Sequence, residues 1–360
     1  MRIMMWGLAL ALALSLAGPR ASAQASTTTT LTELRDGQHD WDTQFGTWQI
    51  HLHKRLHPLT GSNEWGDFVC HDETRRVWGG MANLDELEAD GPTGHIEGLT
   101  LRLYNPKTHQ WSIYWANAAD PEVGVPMIGS FAKGRGEFYD QEMYHDRSIY
   151  VRYLWTNMTD NSGDFEQAFS ADGGKTWEPN WVTTMEHEPP GRANVRPNPD
   201  IHDGQHDFDY AFGLWNVHLK RLANALGEHP EWREYDGTVN VTKFWNGRGN
   251  IAEVKVKNGT SQLQGVSLRL FDPRTRQWSI YFANAADGIL DLTPLVGNFQ
   301  SERGQFYAFE KIAGQWVMVR FIFSGTKPNN IYGEQAFSKD GGKTWAPNWI
   351  IDMTRAEAKP

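Results

Sequence analysis

Apolar and polar residues alternate with a period of two along much of the chain. Trp48, Ile50 and Leu52 are interleaved with Gln49, His51 and His53, and Leu99, Leu101 and Leu103 with Thr100, Arg102 and Tyr104. Such alternation sets one face of an extended segment against a core and predicts β-strands. Turn signals separate the segments. Asn105-Pro106 precedes the strand-like run from Trp111 to Trp115, and Asp172-Gly173-Gly174 precedes Trp177. Asp-Gly-Gly supplies the positive φ angles of a tight hairpin. No stretch sustains a helical period, so the pattern predicts an all-β protein built as a sandwich or barrel.

The pattern also repeats. GLTLRLYNPKTHQWSIYWANAAD, starting at Gly98, returns as GVSLRLFDPRTRQWSIYFANAAD at Gly265, an offset of 167 residues. Asp36-Gly37-Gln38-His39-Asp40 returns as Asp203-Gly204-Gln205-His206-Asp207, and Trp78, Asn83 and Glu86 return as Trp245, Asn250 and Glu253. The copies diverge in the loops 121–126 and 288–294, after which the offset is 168. Each copy closes on Glu-Gln-Ala-Phe-Ser-x-Asp-Gly-Gly-Lys-Thr-Trp, ending at Trp177 and Trp345. The predicted organisation is a signal segment 1–23, a polar leader 24–35, a β-barrel unit 36–187, a Pro-rich linker 188–202, a second unit 203–355 and a tail 356–360. A unit of roughly 150 residues can bury its own core.

Composition narrows the setting. Arg2, an apolar run from Ile3 to Leu16 and the small residues Ala21-Ser22-Ala23 have the layout of a secretory signal peptide, and cleavage near Ala23 predicts a secreted, periplasmic protein. The apolar run is shorter than the roughly 20 residues that span a bilayer, so no membrane insertion is expected. Loss of Arg2 and Arg20 takes the formal charge from −10 to −12. That acidity argues against nucleic acid as a partner. Cys70 is the only cysteine, which excludes an intrachain disulfide. The 17 Trp, 17 Phe and 11 Tyr residues supply the area for a packed core instead.

The openings Phe45-Gly46-Thr47-Trp48 and Phe212-Gly213-Leu214-Trp215 are similar to the Gly-x-Trp signature of the calycins, the lipocalin-like superfamily of antiparallel barrels. With the Asn- or Asp-Pro hairpin, Gln-Trp-Ser and the terminal Asp-Gly-Gly-Lys-Thr-Trp, the chain resembles a group of secreted bacterial proteins of unknown function with a calycin-like barrel. The resemblance implies two tandem barrels arisen by internal duplication, each with a pocket for a small ligand. It also implies that Trp48 and Trp215 lie across the closed barrel ends. Arg355 would cover Trp215, and His187 holds the matching place in the first unit. The closing motif also resembles the Asp-box of sialidase-type propellers, whose blades repeat at about 40 to 50 residues. Here it returns only after 168, so it is read as a stable turn.

Candidate site residues are polar, lie on strands and occur in both copies: Arg102, Tyr114, Asn117, Arg152 and Glu166, with Arg269, Tyr281, Asn284, Arg320 and Glu334. As a group they are suited to orient an anionic or oxygen-rich ligand against an aromatic wall. The competing arrangement pairs the arginines with Glu166 and its neighbours on the outer face. Asp36, His39, Asp40 and Asp42 lack zinc or EF-hand spacing and read as a capping turn, and His51 and His218 read as structural. No metal and no cofactor is expected. No Gly-x-Ser-x-Gly elbow occurs, and catalytic residues are not identifiable. The expected function is binding of a small apolar or aromatic molecule, one pocket per barrel, with the loops at Pro121 and Gly288 forming the mouths. Two alternatives stand beside it: an enzyme polarising a substrate through Arg102, Tyr114 and Glu166 or their counterparts, and a glycan-binding module using exposed Trp.

Overall fold

The computed structural model describes residues 35–188, 204–227, 231–259 and 261–356. The expected signal segment, nearly all of the leader, most of the linker and most of the tail lie outside them.

Ten antiparallel strands form the first half: β1 (Gly46–Arg55), β2 (Trp65–Val77), β3 (Ala82–Gly91), β4 (Gly94–Asn105), β5 (Gln110–Asn117), β6 (Met127–Ala132), β7 (Arg135–Tyr144), β8 (Arg147–Thr156), β9 (Ser162–Ser170) and β10 (Glu178–His187). Neighbours in sequence are neighbours in the sheet, and β10 returns to pair with β1, closing a barrel. The second half repeats this with β11 (Gly213–Leu222), β12 (Trp232–Phe244), β13 (Gly249–Asn258), β14 (Ser261–Asp272), β15 (Gln277–Asn284), β16 (Ile289–Leu290), β17 (Leu295–Gln300), β18 (Arg303–Ile312), β19 (Gln315–Lys327), β20 (Asn330–Ser338) and β21 (Ala346–Arg355). Pairing of β21 with β11 and of β14 with β15 closes a second ring of ten, and the two-residue β16 hangs on β15. Closure leaves no long sheet edge exposed. The all-β, two-barrel expectation is met.

One end of each barrel is plugged by the turn before its first strand. The short 3₁₀ turns Asp42–Gln44 and Asp209–Ala211 carry Trp41 and Phe208 into the core, where both are fully buried. Trp48 donates its indole N–H to Gln44 O at 2.9 Å, and Trp215 to Ala211 O at 2.8 Å. The Arg355 guanidinium lies 3.9 Å from the Trp215 ring centroid and donates to Tyr210 O and Phe212 O, the cover that the calycin resemblance implied. His187 meets Trp48 edge-on at 5.0 Å. Gly46 (φ 125°) and Gly213 (φ 104°) adopt backbone conformations that L side chains rarely take, and a Cβ on Gly46 would come 2.6 Å from His187 Nε2.

The repeated hairpin is buried on both faces. Thr100, Arg102 and Tyr104 point into the first barrel, while Leu99, Leu101, Leu103 and Tyr114 point outward into an apolar core shared with Val266, Leu268, Leu270 and Tyr281 of the second. Each Leu so buried contributes about 1.5–3 kcal/mol. The polar contacts across this junction are reciprocal. Leu290 N–H donates to Tyr114 Oη (3.0 Å) and Val123 N–H to Tyr281 Oη (3.5 Å). Trp78 N–H donates to Glu253 (3.1 Å), and Trp245 N–H to Glu86. Arg248 Nη2 adds an ion pair across it, donating to both carboxylate oxygens of Glu97 at 2.6 and 2.8 Å. The divergent loops at Pro121 and Gly288, expected at the barrel mouths, belong to this junction instead: Val123 packs against it, Leu290 is buried in it, and no residue of 121–126 or 288–294 lines either lumen.

Candidate functional site

Each barrel encloses a cavity above its plug. In the first barrel it measures about 310 Å³, and every residue lining it is at least partly buried. In the second it measures about 460 Å³ and reaches the surface along the β11–β12 loop, at Ala223 and Asn224, and at Ala313 in the β18–β19 turn. Both volumes fall in or near the range of about 300–1,000 Å³ usual for small-molecule sites.

Strand parity decides which predicted residues reach these cavities. Arg102 on β4 and Arg269 on β14 face inward and line them. Each arginine stands directly across from an asparagine on the preceding strand and donates to it: Arg102 to Asn83 Oδ1 (2.9 Å), Arg269 to Asn250 Oδ1 (3.0 Å). Each guanidinium also lies over the ring of the plug, 4.4 Å from Trp41 in one barrel and 4.8 Å from Phe208 in the other. Asn117 lines the first cavity and caps its own turn by accepting from Ala119 N–H, while Asn284 caps the corresponding turn through Ala286 N–H.

The other predicted residues are elsewhere. Tyr114 and Tyr281 have the opposite parity and serve the junction between the barrels. Arg152 pairs with Glu166 (2.9 Å) and Arg320 with Glu334 (3.4 Å) on the outer faces, where each arginine stacks on the tryptophan of the Asp-Gly-Gly turn, Trp177 at 4.7 Å and Trp345 at 4.6 Å. These pairs are neighbours of Val151 and Val319, which point inward, so the arginines between the inward positions must point out. The constellation of Arg102, Tyr114 and Glu166 proposed for an enzyme is therefore not gathered in one place.

Sequence reasoning missed the two residues that most distinguish the first cavity, Asp72 and Asp85. Arg102 Nη2 donates to Asp85 Oδ1 at 2.7 Å, and Thr74 bridges the two carboxyls, donating to Asp72 (3.2 Å) or to Asp85 (3.3 Å). Burial, then the neighbouring Asp85 charge, pushes the Asp72 carboxyl well above the usual carboxylate range. The shift favours the neutral form of Asp72, and in that form the carboxyl can donate a hydrogen bond into the cavity. Asp140 and Glu142 lie on the inward face of β7, and Asp140 is lifted to about 7 by burial and then by Glu142. The register places Val239 and Ala252 where the first barrel has Asp72 and Asp85. Arg269 consequently has no carboxylate partner among the described residues, and its Nε makes no hydrogen bond. Burial lowers its guanidinium to about 10. Around it the wall is largely apolar, with Val254, Ile280, Phe282, Phe321, Phe323 and Met353, and with Ser267, Gln335 and Asn348 as uncharged polar members.

With this geometry in hand, three solved structures give a measure of likeness. The S-type phycobiliprotein lyase of Guillardia theta aligns over 44% of this chain and 95% of its own at 10% identity, with a TM-score of 0.32. A protein of unknown function from the DUF3598 family of Nostoc punctiforme aligns over 90% of this chain and 100% of its own at 10% identity and a TM-score of 0.26. Transferrin-binding protein B of Haemophilus parasuis aligns over 86% and 77% at 7% identity and a TM-score of 0.19. No protein-family model and no curated protein matches the chain.

Proposed function

We propose that this is a secreted, periplasmic protein of two duplicated barrels, each binding a small molecule non-covalently in its lumen. One observation carries the reading: in both halves a plugged barrel holds a ligand-sized cavity with a buried arginine at its floor. Arg269, held by Asn250 and two aromatic faces, keeps donors free for a guest, and in both barrels the aromatic and aliphatic walls supply the burial that drives binding.

The test is a titration of the full chain with the neutral fluorophore N-phenyl-1-naphthylamine, read by its emission and by Trp quenching, with oligosaccharides as the comparison. Saturable binding at two sites, one of which is lost when Ile280→Trp fills the second lumen, supports the reading. Quenching by oligosaccharides alone would sink it in favour of a glycan module. Cell fractionation with mass measurement of the mature N-terminus tests export, which requires a chain starting at Gln24.

A further inference from the structure

The two lumens differ most at the arginine, and the difference has a direction. In the first barrel Arg102 is neutralised internally by Asp85, with Asp72 beside it and Asp140 and Glu142 on the inward face of the next wall. In the second, Val239, Ala252 and Ala308 occupy the positions of Asp72, Asp85 and Asp140. Arg269 is 6% exposed, and the ionisable group whose field acts on it is the Tyr210 hydroxyl, itself buried without a hydrogen-bond partner. Glu310, on the inward face of β18, is lifted to about 7 by burial and then by Asp291, and does not line the cavity. A lone cation inside an apolar lumen costs folding free energy that a pairing anion recovers.

We propose that the second barrel is a site for an amphipathic monocarboxylate, whose carboxylate accepts from Arg269 while its hydrocarbon part lies along the apolar wall. This rests on the reading of the lumens as ligand sites and specifies the guest of one of them. One guanidinium balances one negative charge, and no second cation lies deep in the cavity; Arg221, which also lines it, is exposed and rests over Trp349. A dianion would therefore enter with a charge left over. The planar guanidinium suits a carboxylate, and its hydrogen bonds are of the strong, charge-assisted kind. The first barrel disfavours such a guest: Arg102 is already paired with Asp85, Lys54, the other cation lining the cavity, rests over Trp181, and Asp72, Asp140 and Glu142 add inward acidic groups. The divergence between the two copies thus separates their ligands by charge.

Dodecanoate and methyl dodecanoate are the probes, titrated calorimetrically into the full chain, into Arg269→Met and into Ala252→Asp, which places a carboxylate where Asp85 stands in the first barrel. The expected result is one tight dodecanoate site per chain, weakened by about 10-fold or more in each variant, with the methyl ester bound equally by all three proteins. Unchanged dodecanoate affinity in Arg269→Met, or equal affinity of the wild type for acid and ester, overturns the proposal while leaving a neutral binding lumen intact. Failure of both probes to bind overturns this proposal and the lumen reading together. Because Arg269→Met removes a buried charge without opening a large void, its melting temperature is the folding control.

Discussion

At the scale of single residues, two arginines in the same register have opposite energetic standing. Arg102 is one half of a buried ion pair, with its side chain 3% exposed and that of Asp85 11% exposed. Arg102→Met strands Asp85 and is expected to cost about 3–5 kcal/mol in denaturant unfolding. Arg269→Met strands no charge and is expected to cost less than about 1 kcal/mol or to stabilise. Equal losses in the two variants would refute the distinction. Asp72 makes a second prediction, with a definite sign. Its folded pKa is raised, so the stability it contributes is present below the ordinary carboxylate range and is lost as pH rises through the raised value. Asp72→Asn keeps the neutral hydrogen bonding, and should raise the melting temperature at alkaline pH and flatten its decline between acid and alkaline buffers. Residues shared by the two copies do not include these carboxyls. Asp72 and Asp85 face Val239 and Ala252 in the alignment, and the informative signal was that mismatch.

At the scale of elements, the closing hairpins behave as the Asp-Gly-Gly text predicts. Ser170 Oγ donates to Asp172 (2.8 Å) and accepts from Gly174 N–H (2.9 Å), and Asp172 accepts from both Thr176 N–H (2.9 Å) and its hydroxyl (2.7 Å). The same bonds recur at Ser338, Asp340, Gly342 and Thr344. In both turns these donors, Thr176 and Thr344 foremost, hold the aspartate near 2. The sign is opposite to that of Asp72: the contribution is present above the ordinary Asp value and disappears as pH falls toward about 2. Proton NMR titration of the Gly174 amide should show a midpoint near 2, and Asp172→Ala should abolish it and shift the Trp177 ring off Arg152. A midpoint near the ordinary Asp value would contradict the turn geometry. The outward direction of Arg152 and Arg320 was also legible in principle. Ile149, Val151 and Trp155 alternate with Arg152 along β8, and the apolar set is the buried one.

At the scale of the whole molecule, the best-kept stretch of the repeat holds two barrels together while it carries the lumen arginine. Leu99, Leu101 and Leu103 meet Val266, Leu268 and Leu270 in a core that neither barrel completes alone. Leu101→Glu places an unpaired carboxylate there and should separate the barrels, seen as a larger radius of gyration in small-angle scattering at neutral pH. An unchanged radius would show that the junction does not depend on this face. Tyr114→Phe removes the acceptor of Leu290 N–H and is expected to cost about 1–3 kcal/mol without opening the junction. Among the described residues no helix is long and apolar enough to cross a membrane.

The strands, their turns and the two-fold repeat were determined by the sequence alone, because alternation, positive-φ residues and hairpin chemistry act over a few residues. Which side of each strand became the inside was decided only in three dimensions. In β4 both faces are buried, so polarity does not tell lumen from junction: the leucines turn outward because a second barrel covers them, and Arg102 turns inward because closure of the sheet leaves it nowhere else to go. The partnership of Arg102 with Asp85, and the lack of one at Arg269, likewise depend on β3 and β13 being registered against β4 and β14. That pairing joins residues 17 apart in sequence across the strand ladder, and it turns two copies of one arginine into two different sites.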